Sequence, residues 1–147
     1  MAYWLYKSEP FKWSWDQQVA AGAAGTFWDG VRNHSAKLNL LAMRAGDRGF
    51  FYHSNEGKAV VGIVEVIREA YPDPTAEPGE PWVVVDLKAV ESLPRPVTLA
   101  DVKAEPRLAE MALLRYSRLS VQPVTEAEWE IVCRMGGLDQ PSSGAPS

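Results

Sequence analysis

Cysteine is nearly absent from this chain, histidine is scarce and no apolar run is long. Each shortage closes off a class of protein. The lone Cys133 has no partner for an internal disulfide, which fits a reducing, cytoplasmic compartment. His34, His53 and Cys133 together are too few for an all-nitrogen/sulfur zinc site, and a carboxylate-completed site finds no helical or Cys-x-x-Cys spacing to support it. No metal and no cofactor is therefore expected. Nothing approaches the roughly 20 apolar residues of a membrane span. The N-terminus has no basic region followed by an apolar one, so neither an anchor nor a signal peptide is expected. A glycine-rich phosphate loop is missing as well. Basic charge is also short. The net charge is −4, whereas a protein that coats duplex DNA needs a broad basic surface to release counterions.

What is abundant is tryptophan. Six occur in 147 residues, four of them before position 30. Trp4, Trp13, Trp15 and Trp28 crowd a stretch that also holds Lys7-Ser8-Glu9-Pro10 and Trp28-Asp29-Gly30-Val31-Arg32-Asn33. A small domain buries only so many indoles, and each N–H needs a partner. Aromatics among Ser, Asn, Arg and Lys therefore point to a concave, half-apolar site for a flat ligand; the alternative is an aromatic-rich core. Charge leans the same way. Residues 1–60 carry seven Lys/Arg against five Asp/Glu, and residues 61–147 carry eight against fourteen. Any nucleic-acid contact must be local, in the aromatic half.

The length fits one domain with a core of its own. Tyr3 to Tyr6 reads as a strand. Ser14 and Gln17 have capping-box spacing, which predicts a helix ending at Gly22 or Gly25. Thr26 to Trp28 is a short strand turned by Asp29-Gly30. A helix is predicted from His34 to Met43, with Leu38, Leu41 and Ala42 on its inner face. Arg48–His53 and Ala59–Ile67 form a hairpin around Ser54-Asn55-Glu56-Gly57, and Gly62 hints at a bulge or a close approach to the backbone. Tyr71 to Pro81 is an irregular loop and Trp82 to Val90 a strand. Thr98–Lys103 and Arg107–Tyr116 are helical pieces, and Leu119–Pro123 is a last strand. Thr125 and Glu128 cap a final helix whose inner face holds Trp129, Val132 and Cys133. The domain then spans residues 1–137, with a disordered Pro/Ser/Gly-rich tail over 138–147. Mixed strands and short helices without regular alternation argue for an α+β, barrel-like fold.

Several motifs together resemble the EVE-domain family. They are Trp4-Leu5 with Lys7-Ser8-Glu9-Pro10, Trp28-Asp29-Gly30-Val31-Arg32-Asn33 and Phe50-Phe51-Tyr52-His53-Ser54-Asn55. Val61-Gly62-Ile63, Ala70-Tyr71-Pro72-Asp73, Trp82 with Val85-Asp86, and Arg118-Leu119-Ser120-Val121-Gln122-Pro123-Val124 follow in order. The match covers roughly residues 3 to 135. It implies a PUA-like mixed β-barrel flanked by short helices and related to YTH domains. It also implies recognition of a modified nucleobase, chiefly modified cytosine, flipped into an aromatic-lined pocket. One departure is Phe11 to Gln18, which lacks the acidic pair and the Leu that follow this Trp in relatives.

The residues allow such a pocket. An unstacked base costs a few kcal/mol, and one aromatic platform returns ~1–3 kcal/mol. Trp28, at a strand end before a turn, is the first candidate platform and Trp13 a second face. Trp4, Trp15, Trp82 and Trp129 are assigned to the core. Asn33 offers an amide to a base edge, or caps the helix that follows. Ser8 and Ser54 are small hydroxyls at strand ends, suited to a polar base atom or to a turn bond. Val31 and His53 complete the candidate lining, with Ser120 and Val121 as backbone contacts. Lys7, Arg32, Lys37 and Arg118 are candidates for flanking phosphates.

Catalysis is the competing class, as a small-molecule or nucleotide-processing enzyme built on His53. His53 and Ser54 pair a base with a nucleophile in sequence, but strand neighbours point to opposite faces, and no third orienting group is identifiable. A third option is an aromatic cleft for a peptide or a modified lysine. The reading favoured is a binding module without chemistry of its own, whose partner is nucleic acid carrying a modified base.

Overall fold

The computed structural model describes residues 1–138. The expected tail from residue 139 onward lies outside the described residues. Leu138, expected in that tail, is docked: its N–H donates to Cys133 O at 3.0 Å and its side chain packs on the core.

Six strands form one sheet: β1 (Tyr3–Ser8), β2 (Thr26–Phe27), β3 (Arg48–His53), β4 (Ala59–Pro72), β5 (Val83–Thr98) and β6 (Val121–Val124), in the order β2-β5-β4-β3-β1-β6. β1 runs parallel to β3, and every other pair is antiparallel. Five helices flank it: α1 (Trp15–Ala20), α2 (His34–Ala42), α3 (Leu99–Ala104), α4 (Ala112–Arg115) and α5 (Glu126–Met135). The α+β class holds, but the expected barrel does not close. Closure would require β2 and β6 to pair. β2 is two residues long, and β6 carries Pro123, which has no N–H to give a ladder.

Alternation along each strand feeds two cores. On β1, Leu5 enters one cluster while Trp4 and Tyr6 enter the other; on β3, Phe50 and Tyr52 oppose Phe51 in the same way. The first core centres on Trp129 of α5, stacked on Tyr3 and Phe50 with centroids 4.4 and 4.2 Å away. The second gathers Trp15, Trp28, Phe51 and Tyr6, together with α2. Gly62 does both things its position hinted. The register shifts beside it, and a Cβ there would sit 2.2 Å from the Trp15 ring.

Several expectations about elements need correction. β4 continues beyond the expected Ile67 to Pro72, so Tyr71 and Pro72 pair with Val84 and Val83 instead of opening the loop. α2 buries Ala36 and Leu40, while Leu38, Leu41 and Ala42, expected on its inner face, are exposed. Anchors in the C-terminal half of the helix and at its cap set its rotation: Asn39 Nδ2 donates to Val121 O at 2.7 Å and Tyr6 OH reaches Met43 Sδ. β5 runs eight residues beyond Val90, through Pro94 and Pro96. Those prolines fit because the register jumps between Ser92 and Val97, leaving the intervening stretch out of the ladder. Trp82 joins neither core. It is half-buried, with the Arg32 guanidinium 5.7 Å above its ring.

Candidate functional site

β1 ends at Ser8, and the chain then folds into a turn. The N–H groups of Lys12 and Trp13 both donate to Glu9 O, at 2.9 and 3.0 Å. The Ser8 hydroxyl donates to Trp13 O and closes the turn. Ser14 then caps α1, with the reciprocal Gln17 bond of a capping box. This geometry aims Trp13 back across the strand end. Its Nε1 donates to Gln18 Oε1 at 2.9 Å, and Gln18, fully buried, donates in turn to Leu87 O at 3.0 Å. The indole is thus held from behind by an amide relay, and its burial is only partial.

Facing it is the segment that leaves β2. Trp28 N donates to Val85 O at 2.8 Å, and its ring meets Tyr6 and Phe51 edge-on at 5.4 and 5.6 Å. Only 8% of Trp28 is exposed. Between the two indoles lies a recess of about 600 Å³, within the range of small-molecule sites. Lys7 and Ser8 line it from β1; Glu9, Lys12 and Trp13 from the turn; Thr26 to Gly30 from the opposite side. Glu9 and Lys12 pair within the turn at 3.4 Å. The recess therefore offers aromatic surface, two carboxylates and two ammonium groups. The Lys7 Nζ donates to Ser117 O at 2.6 Å, and burial lowers its pKa.

A buried latch fixes the Trp28 wall. The Asp73 side chain is fully shielded, and it accepts from Gly30 N at 3.2 Å and Arg32 Nη1 at 3.0 Å. It also accepts from Thr75 N and Oγ1 at 2.7 and 2.6 Å. Burial pushes the Asp73 carboxyl up, but the hydrogen bonds from Thr75, Arg32 and Gly30 outweigh it and hold the pKa below its ordinary value. Gly30 supplies a backbone at φ +76°, a conformation that side chains disfavour.

The candidate residues thus separate. Lys7, Ser8, Trp13 and Trp28 share the recess. Ser8 has spent its proton on Trp13 O, so it can only accept from a ligand. Val31 and Val121 are core residues, at 4% and 0% exposure; Ser120 O and Val121 O accept from Lys7 N and Asn39 Nδ2. Asn33 caps α2 through Ala36 N at 2.9 Å and lines a second recess with Arg118. Arg32 is committed to Asp73 instead of standing free for a phosphate. Lys37 lies half-buried on α2. His53 Nε2 accepts from Trp15 N at 3.0 Å, and burial, opposed by Asp16, lowers its pKa. That lone pair is unavailable to Ser54, whose N–H goes to Ser8 O. Sequence reasoning missed Glu9 and Lys12, which were given no role, Asp29, which was read as part of a turn, and Asp73 and Gln18, which act from behind the wall.

An open mixed sheet with two cores and an aromatic recess at its strand ends defines a small α+β domain. A YTH domain of Zygosaccharomyces rouxii MRB1 shares the fold at a TM-score of 0.59 and 14% identity, covering 99% of this chain and 89% of that one. The EVE domain family model matches residues 2–135, and the chain belongs to that family. A crystal structure from Agrobacterium tumefaciens is 57% identical with a TM-score of 0.94, covering both chains in full. Human thymocyte nuclear protein 1 is 33% identical over 162 residues, covering 89% of this chain and 72% of the relative. The human THYN1 protein, solved in complex with 5-methylcytosine-containing DNA, is 32% identical. Its TM-score is 0.86, and the match covers 95% of this chain and 100% of that one.

Proposed function

We propose that this chain binds a modified cytosine of nucleic acid in the recess between Trp13 and Trp28. The observation that carries the reading is the recess itself: two indoles held from behind, with acceptors and two ammonium groups between them. A base withdrawn from a stack needs a platform, and Trp13 is the more accessible of the two rings. Cytosine presents an amine donor beside two acceptors. Glu9, Asp29 or the Ser8 oxygen would take the amine, and the Lys12 ammonium would meet an acceptor on the same edge. The aromatic walls suit an added methyl group. The relative solved with 5-methylcytosine-containing DNA supports this choice of base.

The reading is tested by fluorescence anisotropy with oligonucleotides bearing cytosine, 5-methylcytosine, 5-hydroxymethylcytosine or N6-methyladenine, as DNA and as RNA. A modified cytosine should bind tightest, and Trp13→Ala should weaken it by the ~1–3 kcal/mol of one stacking contact. Equal affinity for every oligonucleotide, or a Trp13→Ala protein that binds like the parent, would contradict it.

A further inference from the structure

Beside the first recess lies a second, of about 370 Å³, lined by Asn33, Ser35, Tyr116, Ser117, Arg118 and Leu119. The two share a wall. Lys7 lines the first, and its Nζ donates at 2.6 Å to the carbonyl of Ser117, which lines the second. We infer that the second recess holds the nucleotide adjoining the recognised base, with Tyr116 stacking on its base, Arg118 on its phosphate and Lys7 beneath the phosphate that joins the two. This rests on the modified-base reading and extends it from one nucleotide to a step.

Three features carry the inference. Tyr116 is 60% exposed, so a face of its ring is open to a flat group that stacks on it. Arg118 is exposed and has no carboxylate partner among the described residues, and none of the six lining residues is acidic. An anion there meets no repulsion from the lining. The loop is also preorganised. Leu119 N donates to Tyr116 O at 3.0 Å. The fully buried Gln122 donates through Nε2 to Tyr116 O at 3.1 Å and to Leu119 O at 2.9 Å. A buried amide thus clamps both ends of the loop that presents Tyr116 and Arg118. Ligands bind such a loop without first having to order it.

The test compares the parent, Tyr116→Ala and Arg118→Gln on duplexes carrying one 5-methylcytosine. Further duplexes have an abasic site on its 5′ or its 3′ side. Both side chains are exposed, and the loop is pinned through backbone carbonyls, so the variants should keep the parent's thermal midpoint. Tyr116→Ala should weaken the intact duplex at least about fivefold. The parent should lose a similar factor to an abasic site on one side only, and Tyr116→Ala should lose nothing further there. Arg118→Gln should make the salt dependence shallower by about one. If the parent prefers the modified duplex and both variants bind it equally well, this inference fails while the base reading stands. If the parent shows no preference for the modified base, the base reading fails and this inference with it.

Discussion

At the scale of single residues, the site is built from side chains whose polar atoms are already committed. His53, which does not line the recess, is committed in the same way. Its Nε2 must stay unprotonated to accept from Trp15 N, and burial, opposed in part by Asp16, lowers its pKa. The unfolded chain therefore takes the proton first as pH falls below ~6.5. Stability should be full above that value and decline as pH falls toward the folded-state pKa. Urea denaturation between pH 7.5 and 5 should show the decline, and His53→Gln should remove this group's share of it. A pH-independent midpoint in the parent would contradict the assignment. Asn33 separates cap from reader. Asn33→Ala should cost ~1 kcal/mol of stability, and Asn33→Asp should cost little because aspartate caps as well. Loss of affinity in the Asp variant would make Asn33 a ligand contact as well as a cap; unchanged affinity would leave it a cap. Trp28 reaches into the core, so Trp28→Ala should destabilise by ~3–5 kcal/mol as well as weaken binding. Trp13→Ala is the cleaner probe.

At the scale of elements, the wall containing Trp28 is only as rigid as its latch to the loop that follows β4. Asp73→Ala leaves the Arg32 guanidinium without its anion and Gly30 N without its acceptor. Because the Arg32 guanidinium is partly solvated, the cost is that of donors left without an acceptor, ~1–3 kcal/mol. Asp73→Asn is gentler, and in thermal unfolding it should fall between the parent and Asp73→Ala. Its affinity for the modified oligonucleotide should also fall, although Asp73 does not line the recess. Normal affinity at reduced stability would show that the latch does not position the wall. The capped helices α1 and α5 were legible in sequence because Ser14/Gln17 and Thr125/Glu128 are local signals, and the hairpin and Gly62 followed from local pattern as well. The inner face of α2 was not. Leu38 and Leu41 fit a helical stripe as well as Ala36 and Leu40, and the choice depends on Met43 and Asn39 meeting partners far away in sequence. The open sheet was illegible for a related reason, since closure depends on whether edge strands pair.

At the scale of the whole molecule, a net charge of −4 and a recess with few cations set the kind of binding to expect. Most of the affinity should come from one or two nucleotides held at Lys7, Trp13 and Arg118, with little from a long electrostatic footprint. Within the recess, Lys7, Ser8, Trp13 and Trp28 were readable from their motifs. The amide relay and the Asp73 latch were not, because Gln18 and Asp73 act on residues distant in sequence. The most direct test of the central claim is calorimetric titration with two duplexes that differ only by the methyl group on one cytosine, repeated at several salt concentrations. The methylated duplex should bind tighter, and the preference should vanish in Trp13→Ala. The slope of log affinity against log salt should stay near −1 to −3, as for one to three phosphate contacts. Equal affinity for the two duplexes, or a slope near the −10 of a protein that spans many phosphates, would contradict a pocket that reads a single modified base.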